Sequence, residues 1–397
     1  MNKKKKMNLT LTLPDDMIVQ ILLKLPVRSL LRFKCVSKSW LCLISDPQFA
    51  KSHFDLAAAP THRLFVKYDS FRVSIDLEAL FHDDSFLVQL ASPFPLSLHN
   101  SNFRIMGSCR GFILLRFYYQ FIIWNPSTGF HKGIPFSRPY SMCEFLCGFG
   151  YDAATDDYLV ITIMPLPESG LSKVATGMEF FSLKTNSWNR IEGINYPFSV
   201  VDDEVSSAFK VGLFLNGALH WFDFCSSLDV IDKIISFDLT ERTLSEIPLP
   251  YDLAKTLDVG AYNLTVNGGC LSLCNCRATY WSTGECEAMV EIWTMKEYKV
   301  QSSWTKSTVL ITFLTAPDND FSPICFTEGG EIVVGSEERR VIMKLDGEGE
   351  GKLLEYRKLL KYRKYGPDFI DYMFLSNPCS IMYRESLLSL PSDFGEA

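Results

Sequence analysis

At 397 residues the chain is long enough for two domains, or one large domain with an accessory module, and for burial of most of a main core. Twelve cysteines would suit a secreted disulfide scaffold only in a small chain with a signal peptide, and "MNKKKKMNLTLTLP" has no apolar core behind its lysines. No apolar run approaches the roughly 18 residues of a membrane span, so the expectation is a protein of a reducing compartment, cytoplasmic and/or nuclear, with no membrane partner. The net charge of −7 is unevenly spread: residues 1–53 hold ten Lys/Arg against three Asp/Glu (+7), which leaves 29 against 43 (−14) for the remainder.

Residues 1–12 read as a basic disordered N-terminus. From Asp15 to Leu25 the residues Ile18, Ile21, Leu22 and Leu25 recur at helical spacing, and Asp15 and Asp16 complement the helix dipole at its start. Pro26 cannot continue that helix, so the chain turns and opens a second one containing Leu30, Leu31 and Phe33. After Ser37 a third short helical turn presents Trp40, Leu41 and Ile44. Three short helices cannot enclose this many apolar side chains, which predicts that part of the surface meets another protein.

The stretch "LPDDMIVQILLKLPVRSLLRFKCVSKSWLCLISDPQFAKSHF" resembles an F-box, placed here at residues 13–53; one departure is Gln20, where many plant members carry Glu. The resemblance implies docking onto a Skp-type adaptor and, through it, a cullin scaffold. Carried over position by position, the docking face would draw on Leu13, Pro14, Ile18, Leu22, Leu25, Pro26, Val27, Leu30, Leu31, Val36 and Trp40, of which roughly half should prove to be internal packing. Arg28, Arg32, Lys34 and Lys38 could instead form a nucleic-acid stripe. The helices carry apolar residues at reading positions, however, and Pro26 sits where a helix-turn-helix usually has glycine, so no nucleic-acid partner is expected.

After a linker at 54–62 the texture changes to short β-rich runs. Aligning "WNPSTG" from Trp124, "FSLKTN" from Phe181, "FDLTER" from Phe237, "WTMKEY" from Trp293 and "MKLDGE" from Met343 gives spacings of 57, 56, 56 and 50 residues. An earlier copy, "SIDLEA", places Ile75 49 residues before Trp124 and makes six. Ahead of each lies a strand pair around a turn, with Asn216-Gly217 and Asn267-Gly268 as the strongest hairpin signals. Repeats of about 50 residues, each a short antiparallel sheet, predict kelch-type propeller blades. The fold class is therefore α+β overall: a small three-helix N-terminal unit followed, over 63–390, by an all-β, propeller-like domain of about six blades, with 391–397 as a tail. The strand in "CSIMYRESLLSL" is expected to pair into the first blade and join chain end to chain start.

This half resembles the F-box-associated domain of plant F-box proteins, on "WNPSTG", "GFGYDAATDDYLVI", "SWNRI", "LNGALHW", "FDLTERTLSEIPLP", "EIWTMKEY", "SWTK" and "YRESLLSL". It departs from standard kelch repeats in mostly lacking the doubled glycine and spaced Tyr/Trp.

No catalytic chemistry emerges. Cys270, Cys274, Cys276 and Cys286 fit no paired metal-ligand spacing, and three of them fall on one face of a strand, where cysteine acts as a small core residue. His220 reads as a strand residue with a hydrogen-bond partner, and Asp156 and Asp157 as solvated residues of a hairpin turn. No cofactor, metal site or enzyme motif is expected.

The two resemblances together imply the substrate-recognition subunit of a Skp-cullin-F-box ubiquitin ligase, working by proximity with no catalytic group of its own. The alternatives are an F-box scaffold acting outside a ligase and a propeller enzyme. Three loops that depart from the minimal repeat nominate Arg138, Tyr140, Tyr196, Phe198, Tyr280 and Trp281 as contacts for an unknown protein target.

Overall fold

The computed structural model describes residues 14–56, 62–68, 71–76, 79, 87–90, 103–117, 120–137, 146–165, 176–192, 211–225, 230–253, 262–280, 286–313, 321–326, 332–336, 341–345, 353–358 and 380–390. Four helices open the chain, not three: α1 (Asp15–Leu22), α2 (Val27–Phe33), α3 (Lys38–Ser45) and α4 (Pro47–Leu56). The fourth has local causes. Asp46 Oδ1 accepts the Phe49 amide at 2.9 Å, and Pro47 takes the first helical position, where its missing N–H costs nothing. Phe49, Ala50, His53 and Phe54 then bury one face of it. α1 ends three residues earlier than the spacing predicts, and Pro26 stands as N-cap to α2, not within it. Ser37 caps α3 by accepting the Trp40 amide at 3.2 Å.

Beyond residue 56 the described residues are mostly strands in antiparallel meanders. β1 (His62–Tyr68), β2 (Phe71–Asp76) and β3 (Leu87–Gln89) come first. The strands β4 (Arg104–Cys109), β5 (Phe112–Arg116), β6 (Gln120–Trp124) and β7 (His131–Pro135) form a meander of their own. Next come β8 (Leu146–Asp152), β9 (Asp157–Pro165), β10 (Thr176–Ser182) and β11 (Ser187–Ile191), then β12 (Val211–Leu215), β13 (Ala218–Cys225), β14 (Val230–Asp238) and β15 (Leu244–Pro248). These two meanders join into one eight-stranded sheet because β12 pairs parallel with β8 at Val211 with Cys147 and Gly212 with Gly148. That close approach needs glycine: a Cβ on Gly212 would stand 2.6 Å from the Trp221 ring, and one on Gly148 2.7 Å from Leu219. Trp221 Nε1 also donates to the Cys147 carbonyl at 3.1 Å.

Two further four-stranded sheets follow: β16 (Asn263–Asn267), β17 (Cys270–Tyr280), β18 (Cys286–Met295) and β19 (Trp304–Phe313), then β20 (Phe321–Phe326), β21 (Ile332–Ser336), β22 (Val341–Leu345) and β23 (Leu353–Lys358). Last, β24 (Ser380–Arg384) pairs antiparallel with β1, from His62 with Arg384 to Val66 with Ser380. The expected joining of chain end to chain start is thus observed, in the sheet order β24-β1-β2-β3. The first strand of each meander lies beside that of the next, in the sequence β24, β4, β8, β12, β16, β20.

The repeat motifs all fall at one structural position. Ile75, Trp124, Phe181, Phe237, Trp293 and Met343 lie near the ends of β2, β6, β10, β14, β18 and β22, the third strand of each meander. Asn216 and Gly217 form the expected two-residue turn, both with positive φ (51° and 74°). The next signal is shifted by one residue: Asn267 pairs with Cys270, and the turn is Gly268-Gly269. Asp157 is also unlike its expectation. It opens β9 in a buried position, accepting from the Ser182 hydroxyl and from the Lys184 amide at 2.9 Å, while Asp156 stays exposed.

Candidate docking surfaces

The four N-terminal helices bury some of their apolar residues and leave others in solvent. Leu22, Leu23, Val27, Leu30, Ile44, Phe49, Ala50 and Phe54 are buried in one cluster that also takes in Phe112, Phe121 and Phe149 of the sheets. Leu22, Val27 and Leu30 therefore spend their apolar area inside the chain and stand among the nominated residues that serve as internal packing. Ile18, Leu25, Leu31 and Trp40 are half-buried and pack against the same cluster, Trp40 edge-to-face on Phe33 at 5.4 Å. Pro14, Pro26 and Val36 are exposed, whereas Leu13 lies outside the described residues.

Three outward residues were not assigned to docking from sequence. Met17 is 52% exposed, Ile21 48% and Leu41 46%, beside Val36 at 62%. Met17 and Ile21 stand four apart on α1 and so share one face of it. Exposed cysteines Cys35 and Cys42 accompany them on α2–α3. Four large apolar side chains about half or more in solvent, none below 46%, on a unit of four short helices, leave apolar area for a partner to cover.

The inward side is polar at its edge. Lys51 reaches Asp156 at 2.8 Å, and Arg28 Nε reaches the buried Glu385 at 3.3 Å. Burial raises the Glu385 carboxyl above its ordinary range, and Arg63 and Arg28 pull it back only in part. His53 Nε2 donates to the Leu25 carbonyl at 2.8 Å, and burial lowers its pKa.

In an antiparallel meander the first-to-second and third-to-fourth connections leave from one end of the strands, and all others leave from the opposite end. The helix α4 touches the first end, through Arg110 in the β4–β5 turn and Asp156 in the β8–β9 turn. The segments nominated for the target, 136–144, 193–209 and 276–287, fall in sequence at the junctions of described strands whose facing ends belong to the opposite set: β7 and β8, β11 and β12, β17 and β18. Arg138, Tyr140, Tyr196, Phe198 and Trp281 themselves lie outside the described residues. Tyr280 is not in a loop: it ends β17 and pairs with Cys286, because the β17–β18 ladder runs on through alternating residues beyond the predicted turn.

His220 is a fully buried strand residue with two partners. Nδ1 donates to the Leu213 carbonyl at 3.1 Å, so Nε2 accepts from the Tyr298 hydroxyl at 2.6 Å. Burial takes its pKa down to about 4. Cys274 is buried and Cys270 half-buried, both as free thiols. Among the described residues no group of three His, Cys, Asp or Glu could hold a metal ion.

Comparison with known proteins agrees with this division. The profile of the F-box domain matches residues 11–52, and that of the F-box associated beta propeller domain matches 63–389. An F-box/kelch-repeat protein of Arabidopsis thaliana is 28% identical over 311 residues, 74% of this chain and 78% of its own length. The F-box protein CPR1 of the same species is also 28% identical, over 74% of this chain and 72% of its own. Another A. thaliana F-box protein is 27% identical over 92% of this chain and 88% of its own. Virginiamycin B lyase from Staphylococcus aureus, a solved structure, aligns over 75% of this chain and 82% of its own at 10% identity and a TM-score of 0.36. With an F-box on four helices and a matched domain covering most of the remaining sequence, the chain belongs to the F-box associated β-propeller family.

Proposed function

We propose that the chain is the substrate-receptor subunit of a Skp-cullin-F-box ubiquitin ligase, docking a Skp-type adaptor through the F-box and a target protein through the propeller. The observation that carries the reading is the outward face of Met17, Ile21, Val36 and Leu41, left in solvent while the inward face of the same helices is buried. Half-buried Ile18, Leu25, Leu31 and Trp40, with exposed Pro14 and Pro26, belong to the same helical unit and are nominated with that face. The excess of positive charge in residues 1–53 suits an acidic adaptor surface and would speed encounter.

The propeller is read as six kelch-like blades, the eight-stranded sheet counting as two. The proposed target contacts are Arg138, Tyr140, Tyr196, Phe198 and Trp281, together with Tyr280 at the end of β17. Catalysis in this scheme is proximity: a target lysine is held near a charged conjugating enzyme, and this chain contributes no reacting group. A cytoplasmic and/or nuclear location follows from that role.

Reconstitution tests it. The purified chain should form a stable complex with a Skp-type adaptor and, with cullin and conjugating enzyme added, should support ubiquitin transfer. Complex formation without transfer would favour a scaffold outside a ligase. No complex at all would overturn the reading.

A further inference from the structure

We infer that the segment following the closing strand, Glu385 to Leu390, is a positioning element that seats the F-box on the propeller and makes the two one rigid body. Glu385, Ser386, Leu387, Leu388 and Leu390 are all buried, at 0–7% exposure. The three leucines belong to the cluster that holds Leu22, Leu23, Val27 and Leu30 of the F-box and Phe112 and Phe121 of the sheet β4–β7.

Specific groups hold the segment from both sides. On the propeller side Asn125, wholly buried, donates from Nδ2 to the carbonyls of Ser386 at 3.2 Å and Leu388 at 3.0 Å. Ser127 Oγ accepts the Ser386 amide at 3.3 Å. Gly111, at φ +87°, makes room, since a Cβ there would stand 2.2 Å from Ser386 Oγ. On the F-box side the Glu385 carboxylate lies 3.3 Å from Arg28 of α2 and 3.5 Å from Arg63 of β1. One residue earlier, Arg384 donates to the Phe54 carbonyl and lies over the Phe54 ring at 3.9 Å, while Arg110 lies over the same ring at 4.6 Å.

The equivalent residues of other repeats show what is special at Asn125. Ser182 bonds to Asp157 and to the Thr185 amide, and Asp238 accepts the amides of Thr240 and Glu241, so both serve turns within their own sheets. Asn125 keeps that local task through Oδ1, which accepts the Ser127 amide at 2.9 Å, and turns its amide group to the chain end. On the reading that the F-box docks an adaptor, this joint fixes how far the docking face stands from the target end.

Hydrogen exchange on the full-length chain tests the joint without any partner. In the wild type the amides of α1 to α4 should be protected to a degree comparable with β5 and β6. Asn125→Ala and Phe54→Leu should each speed exchange in the helices at least tenfold and change β13, β14 and β17 less than twofold, whereas Phe54→Tyr, which keeps an aromatic ring for both guanidinium groups, should restore protection. Phe54→Leu keeps apolar bulk and stands in should Asn125→Ala fail to fold. Helix exchange unchanged in Phe54→Leu, or wild-type helices exchanging far faster than β5, would overturn the inference. Adaptor titration of the wild type and Phe54→Leu separates the two readings: equal binding with loosened helices supports the joint, and absent binding by the wild type removes the docking proposal while the exchange result stands.

Discussion

The inward and outward faces of the F-box are built from the same kinds of residue and meet opposite fates. Leu22 and Ile21 are neighbours in sequence, yet one is 1% exposed and the other 48%. Fully burying such a side chain is worth about 1.5–3 kcal/mol, so the inward face contributes stability that the outward face withholds until something covers it. The difference teaches that amphipathic period alone assigns sides to a helix. Which side the chain keeps for itself depends on partners more than 80 residues away in sequence, such as Phe112 and Leu388.

The largest expected effect removes what the inward face rests on. Ending the chain after Arg384 deletes Leu387, Leu388 and Leu390, on the order of 5–9 kcal/mol of apolar burial, comparable with the whole stability of a typical domain. That truncation should abolish cooperative thermal unfolding monitored by circular dichroism. An unchanged melting temperature would show that the segment holds nothing together.

Next in size, Leu30→Ala on the inward face should cost about 2–5 kcal/mol in denaturant unfolding, because Leu30 is wholly buried and its loss leaves a cavity. The outward Ile21→Ala should stay within about 0.5 kcal/mol of the wild type. Equal costs for the two would erase the distinction between the faces.

The smallest effect is set by pH. Burial lowers the His53 pKa below its ordinary 6.5, so the unfolded state takes up a proton first as pH falls. The stability of the inward face should be complete above pH 6.5 and decline as the pH drops from there toward the lowered folded value. His220, at about 4 when folded, adds a decline of the same sign over the range 6.5 to 4. Denaturant midpoints measured across that range should fall less steeply in His53→Gln than in the wild type.

Much of the β architecture was legible because its signals are local. An apolar strand end followed by a polar turn marks the third strand of every meander, and Asn216-Gly217 shows a turn that needs positive φ. The register slip at Gly268-Gly269 arose because Asn267-Gly268 carries the same chemistry one residue earlier. The cap of α4, Asp46 before Pro47, was equally local and was passed over. Burial was less legible: Asp157 is adjacent to Asp156 and of the same type, and only its contacts to Ser182 and Lys184 take it inside. The joint at Glu385 left no local trace, since Arg28 and Glu385 are brought together only by ring closure between β1 and β24.

Titration of a purified Skp-type adaptor into the full-length chain and into Ile21→Glu with Leu41→Glu tests the account most directly. Both positions are exposed, so the double variant should keep the wild-type melting temperature and lose adaptor binding by at least a hundredfold. Undiminished binding by a folded double variant would contradict the assignment of the outward face.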